Sequence, residues 1–211
     1  MPTLVDKYFS SLDLKAIEEA VRKAESSTSG ELVVSIAPRS RPWFWERIEV
    51  SAAIGAFIML IILWITRQND WGMYYNFTQA LLWGIIGFVL AYLVAKPVLM
   101  RRERTRKVVW KHALEHFHKL TPTKAKTGVL IFVSLEENQA AVIADSGIAS
   151  KLPTDHWHAP HKLIIDGIHA GKHAEGIIAA VESIGIELAH HFPIQSDDID
   201  ELPNSVRIDP D

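Results

Sequence analysis

The residues in this chain with chemical potential are its carboxylates and imidazoles. It contains no cysteine, which removes thiol catalysis and disulfides. Among ten histidines, His112 and His116 stand four apart on one helical face, a spacing that can chelate zinc. No Asp or Glu occupies a matching helical position beside them, so the spacing alone leaves them as surface histidines. The acidic residues make a better set. Glu31 opens one strand, Gly128 opens a second, and Asp145 ends a third. If the first two strands run parallel, all three positions share one edge of a sheet. Asp155, at the start of the following helix, is reachable from that edge. A hard cation such as Ca²⁺ takes several oxygen ligands from turns of this kind, and Glu31, Asp145 and Asp155 are the expected metal ligands. Asp145 also reads as the cap of the Asp-Ser-Gly turn, and Asp155 as a carboxylate favoured at a helix N-terminus. A metal-dependent phosphohydrolase is the alternative, in which the same carboxylates would hold an ion that polarises phosphate. The chain has no P-loop, Gly-x-Gly-x-x-Gly, Gly-x-Ser-x-Gly or His-Glu-x-x-His motif. No catalytic residue is assigned, and a binding role is favoured over an enzymatic one.

Two apolar stretches dominate the elements that must position these residues. Ile48 to Thr66 and Ala80 to Met100 are each about 28–31 Å long as helices, roughly the hydrocarbon thickness of a bilayer. Glu49 and Lys96 are their only charges, each near an end where a side chain reaches the headgroups. The link from Arg67 to Gln79 carries Trp71, Tyr74, Tyr75 and Phe77, and Trp43, Trp45 and Trp64 flank the first stretch, as in an interfacial aromatic belt. These features predict a transmembrane hairpin rather than two buried core helices. The small residues Gly87, Ala91 and Ala95, with Ser51/Gly55 and Ala52/Ala56, allow close packing within the hairpin or against a partner membrane protein.

The net charge of −3 conceals an uneven distribution. Five of the seven residues from Arg101 to Lys107 are basic, whereas Asp145 onward holds twelve Asp/Glu against four Lys/Arg. Arg39, Arg41 and Arg47 precede the first span, and only Arg67 lies in the link. The positive-inside rule then places both termini in the cytoplasm, with the link facing out. Directly after a span, the basic run suits anionic lipid better than nucleic acid. The expected partners are the lipid bilayer and another membrane protein, with no nucleic acid. The N-terminal MPTLVDKYFSSLDLK lacks the apolar core of a signal peptide, so none is expected.

Leu14 to Glu25 is an amphipathic helix, with Leu14, Ile17, Val21 and Ala24 on one face and Ser11 or Asp13 as its cap. Glu31 to Ala37 is rich in β-branched residues and predicts a strand closed by Pro38. Beyond the hairpin, Arg102 to Leu120 predicts a helix, with Pro97 kinking or interrupting its continuity with the second span. Gly128 to Leu135 is an almost wholly apolar strand, as expected for one covered on both faces. Glu136 to Asn138 is a hairpin turn, and Gln139 to Ala144 the returning strand. Helices follow at about Thr154 to Ala170 and Ala174 to His191. The domain plan is thus 1–47 and 101–192 as two parts of one α/β unit, 48–100 as the inserted hairpin with spans about 48–66 and 80–100, and 193–211 as an acidic, irregular tail.

Ala24-Glu25 stands with Thr28-Ser29-Gly30-Glu31-Leu32-Val33-Val34, and after the hairpin come Thr127 to Leu135 and Ile143-Ala144-Asp145-Ser146-Gly147-Ile148. Trp157, Glu175-Gly176, Glu182, His191-Phe192-Pro193 and Glu201-Leu202-Pro203-Asn204 complete the set. In these blocks the chain resembles the TPM domain family, in the bacterial group whose domain is interrupted by a segment in the inner membrane. The resemblance implies a small α/β/α sandwich, here interrupted by a two-helix transmembrane hairpin. It also implies an association with divalent cations, with weak phosphatase activity in a plant relative, and with membrane-protein maintenance. The family often has an Arg near Asn138, where this chain reads Glu136-Glu137-Asn138.

Overall fold

The computed structural model describes residues 3–67, 73–100, 102–121, 123, 126–194 and 201–209. Trp71 of the aromatic link, Arg101 of the basic run and Asp197 of the acidic tail lie outside the described residues. The chain divides into two compact units, Met1–Ser40 with Thr105–Asp211, and Arg41–Arg104.

The first unit is a mixed sheet with helices on both faces. Its strands are β1 (Glu31–Ala37), β2 (Gly128–Ser134), β3 (Gln139–Ala144) and β4 (Arg207–Ile208), in the order β3-β2-β1-β4. β1 and β2 are parallel with Glu31 opposite Gly128, and β2 and β3 are antiparallel with Val129 opposite Ala144. Every residue of β1 and β2 is buried, which is why both read as continuous apolar runs rather than alternating ones.

One face of the sheet is covered by α2 (Ser11–Glu25), α7 (His158–His169) and α8 (His173–His191), which enclose the larger core around Ile17, Leu32, Ile131, Ile164, Ile184 and Leu188. Where α2 meets α8, a Cβ on Gly185 would stand 2.7 Å from the Cβ of Ala24, so only glycine permits this approach. On the other face α5 (Arg102–Leu120) supplies Val109, Ala113 and Phe117 against Val33, Leu130 and Phe132. The N-terminal part is therefore built into the same core as the part that follows the hairpin.

Several details depart from the sequence reading. A short helix α1 (Leu4–Tyr8) precedes α2, and Ser10, not Ser11 or Asp13, caps α2, with Asp13 bonding back to Ser10 in a capping box. The capping hydrogen bonds from Ser10 hold the Asp13 carboxyl below the usual carboxylate range. After β3 a single helical turn, α6 (Ser146–Ala149), follows Asp145. The helix expected from Thr154 begins as a 3-10 turn (Thr154–Trp157) before α7. The end of the tail is also ordered. β4 pairs with β1 through Ser35 opposite Arg207 and Ile36 opposite Ile208, and Leu202 packs into the α5-side core.

The second unit is an antiparallel pair of helices, α3 (Trp43–Thr66) and α4 (Met73–Leu99). Both are long and apolar enough to cross a membrane by length and composition. Their windows are only 11% and 22% buried, unlike the core helices of a water-soluble protein. The small-residue faces turn toward each other: Ser51, Gly55, Ala91 and Ala95 are buried, and a Cβ on Gly55 would stand 2.8 Å from the Gly84 carbonyl. The Arg47 guanidinium donates to the Tyr92 carbonyl at 2.9 Å and lies over its ring. α4 runs through Pro97 as far as Leu99, and α5 starts separately at Arg102.

Candidate functional site

The expected acidic end of the sheet exists in the backbone. Glu31 lies opposite Gly128, and the Asp145 N–H donates to the Gly128 carbonyl at 2.9 Å. The side chains there are engaged in local structure. A carboxylate oxygen of Glu31, nearly buried, accepts from the backbone N–H of Glu201 at 3.2 Å. Asp145 accepts from the Ser146 N–H at 2.5 Å and caps the turn into α6. Asp155 is 94% exposed and faces His158 at 3.7 Å. The three carboxylates do not converge on a common point: among the described residues, the group of three or more ligand atoms close enough to share an ion is His112, His116 and Asp209.

That group sits at the other end of the sheet, on the α5 face. His112 and His116 project from one side of α5, and their rings lie edge to face with centroids 4.2 Å apart. The ring of Phe132 from β2 is 5.3 Å from that of His112. Asp209 arrives from the tail, because the β4 register continues into a 3.0 Å hydrogen bond from its N–H to the Ile36 carbonyl. Its Oδ2 stands 3.6 Å from His112 Nε2 and 3.5 Å from His116 Nδ1. The carboxylate missing from the helical spacing thus comes from a distant segment.

A second feature lies along the outer strand. Antiparallel pairing alternates which residues bond to the neighbouring strand. With Asp145 bonded to Gly128, the backbone groups of Ile143, Ala141 and Gln139 serve β2, and those of Ala144, Val142 and Ala140 point away from it. The Ala140 carbonyl is met by His161 Nε2 at 3.1 Å. Val142 and Ala144 instead border a groove of about 870 Å³, where a further strand would lie between the two helical layers. Trp110 of α5 walls one side and Trp157 the other, with Arg106 and Lys107 at its rim. Trp110 is 47% exposed, an unusual state for a side chain of its size on a sheet-covering helix.

The blocks that carried the family resemblance meet in space. Thr28 Oγ1 donates to the Phe192 carbonyl at 2.6 Å, and Thr28 bridges to Pro193. Glu137, at the turn where the family often has a nearby Arg, is buried. Its carboxylate accepts from the N–H of Ser40 and the hydroxyl of Ser134, joining the β2–β3 turn to the segment after β1.

Comparison with known proteins gives a consistent fold. The family model of the TPM domain matches residues 100–186. The chain is similar to the NMR structure of BA42 protein from the psychrophilic bacterium Bizionia argentinensis, with a TM-score of 0.58 and 23% identity over 96% of each chain. No curated protein sequence matches significantly.

Proposed function

From a chain that carries a TPM domain at residues 100–186, we propose a binding and assembly module held at a bacterial inner membrane by its hairpin, with both termini cytoplasmic. Its partner is another membrane protein, and its role is in membrane-protein maintenance. The observation that carries the reading is the open strand position beside β3. Val142 and Ala144 direct backbone donors and acceptors into a groove flanked by Trp110 and Trp157. An extended peptide adds to such an edge through main-chain hydrogen bonds, while side pockets select its alternate side chains. Arg106 and Lys107 at the rim favour a partner segment with acidic residues at that end. Support for the membrane placement is the exposed apolar surface of α3 and α4 and the basic residues that flank them.

The test is photocrosslinking in native membranes from a probe at Trp110, comparing the parent chain with Val142→Pro. Proline on an edge strand removes the outward N–H without breaking a bond to β2. A discrete heterologous product that disappears in Val142→Pro, and whose crosslinked segment is extended and acidic, supports the reading. A product that survives the substitution, or one formed only with a second copy of this chain, contradicts it.

A further inference from the structure

We propose that His112, His116 and Asp209 form a binding site for a single divalent cation of the Zn²⁺ class, with two imidazole nitrogens, one carboxylate oxygen and one position left for water or an external anion. This is separate from the groove beside β3 and from the oxygen-only set of Glu31, Asp145 and Asp155.

Three observations converge. First, the potential ligand atoms His112 Nε2, His116 Nδ1 and Asp209 Oδ2 are each buried and lack a hydrogen-bond partner. Buried polar atoms are normally satisfied, and three orphans within 4.8 Å of one another call for something that satisfies them together. At 3.5 and 3.6 Å neither imidazole is within hydrogen-bonding range of the carboxylate, so they do not satisfy one another. Second, the spacing suits a small tetrahedral ion. With metal–ligand bonds of about 2.0–2.1 Å, tetrahedral donor atoms stand about 3.3–3.4 Å apart. The two carboxylate–imidazole separations are within a few tenths of an ångström of that, and the two imidazole nitrogens lie within 4.8 Å of each other. Third, the donor chemistry selects the ion. Ca²⁺ and Mg²⁺ take oxygen ligands, whereas imidazole pairs suit Zn²⁺ and its transition-metal neighbours. Three protein ligands with a fourth position open is the coordination of an accessible site rather than a closed structural one.

The site also joins two segments that are far apart in sequence. β4 is only two residues long, and Asp209 follows it directly. An ion held jointly with α5 would therefore fasten the chain's C-terminal segment to the sheet.

The experiment uses the full, tag-free chain in detergent, stripped with chelator and titrated with Zn²⁺ and, as a spectroscopic probe, Co²⁺. The expected result is one equivalent of Zn²⁺ per chain, a Co²⁺ absorption spectrum of four-coordinate character, and slower amide exchange at Asp209 when the metal is bound. Asp209→Asn and His116→Gln lie on different elements, and each should weaken Zn²⁺ binding by about 100-fold or more, since even outer-shell changes cost about 10–100-fold. Circular dichroism of the metal-free variants identifies those that fold, and either one suffices for the comparison. His156→Gln tests the competing surface group, where His156 lies 3.4 Å from Glu187 and its ring 6.4 Å from that of His191. That variant should bind Zn²⁺ as the parent does. Absence of stoichiometric Zn²⁺ binding, binding unchanged in a folded Asp209→Asn or His116→Gln chain, or loss of binding in His156→Gln would overturn the assignment.

Discussion

Replacing Ile17 by alanine tests whether the segment before the hairpin belongs to the core of the segment after it. Ile17 lies on α2, is fully buried and packs in the cluster that contains Ile184 and Leu188 of α8. The substitution removes three carbon atoms, and at about 0.8 kcal/mol each their lost burial costs roughly 2.4 kcal/mol. If the pocket stays open, a residual void of about 60–80 Å³ at about 24 cal/mol per Å³ adds up to about 2 kcal/mol. The expected destabilisation is therefore about 2.5–4 kcal/mol, a large share of the roughly 5–15 kcal/mol that holds an ordinary domain. For a unit of about 150 residues this lowers the melting temperature by about 5–15 °C. The assay is thermal unfolding followed by circular dichroism. Leu12→Ala on the same helix is the control: that side chain is 75% exposed, and its loss should change stability by no more than about 0.5 kcal/mol. Equal melting temperatures for the two variants would refute the claim that α2 is part of one core with α8.

Two further outcomes follow from particular side chains. His173 is buried against Tyr8 and Phe9, with ring centroids 4.6 and 5.9 Å away. Burial holds its imidazole below the ordinary value, partly offset by a hydrogen bond with the Gly171 backbone. The unfolded chain then takes up the proton first, so stability should fall as the pH drops through about 6.5 and stop falling below the lowered folded value. Denaturant midpoints measured between pH 7.5 and 5 should show this slope, and His173→Leu should flatten it; an unchanged slope would remove His173 as its cause. The charge asymmetry around the hairpin predicts that a reporter after Asp211 is cytoplasmic and a tag in the link 67–79 is accessible from outside. Neutralising Arg101, Arg102, Arg104, Arg106 and Lys107 should mix the two orientations, and a native C-terminus found outside would contradict the rule for this chain.

The parts legible in the sequence were those written in local pattern. β1 and β2 read as strands because every residue in them is buried, and the antiparallel return of β3 followed from the short turn at Glu136–Asn138, whose last residue takes the left-handed conformation. α3 and α4 were legible from length and apolarity. β4 was not, because two residues in an acidic, Pro-rich segment carry no strand periodicity and pair only because the β1 edge is there to receive them. That omission hid the histidine cluster. His112 and His116 showed a chelating spacing, but the third group lies outside their helix and is placed by the hydrogen bond from Asp209 to Ile36. Glu31 and Asp145 lie at one end of the sheet, yet their side chains turn to Glu201 and Ser146. Strand order alone does not give side-chain direction. The groove was equally illegible: whether Val142 points its N–H outward depends on the parity of the β2–β3 register, which composition does not encode.

Amide hydrogen exchange at Val142 and Ala144 reads out whether their backbone groups are available to a partner strand. In the purified chain both amides should exchange far faster than those of Ala141 and Ile143, which bond to β2. In native membrane particles that retain the partner, Val142 and Ala144 should become protected while Ala141 and Ile143 change little. Protection of Val142 and Ala144 already in the purified chain, or the same fast exchange in both preparations, would contradict the proposed strand addition.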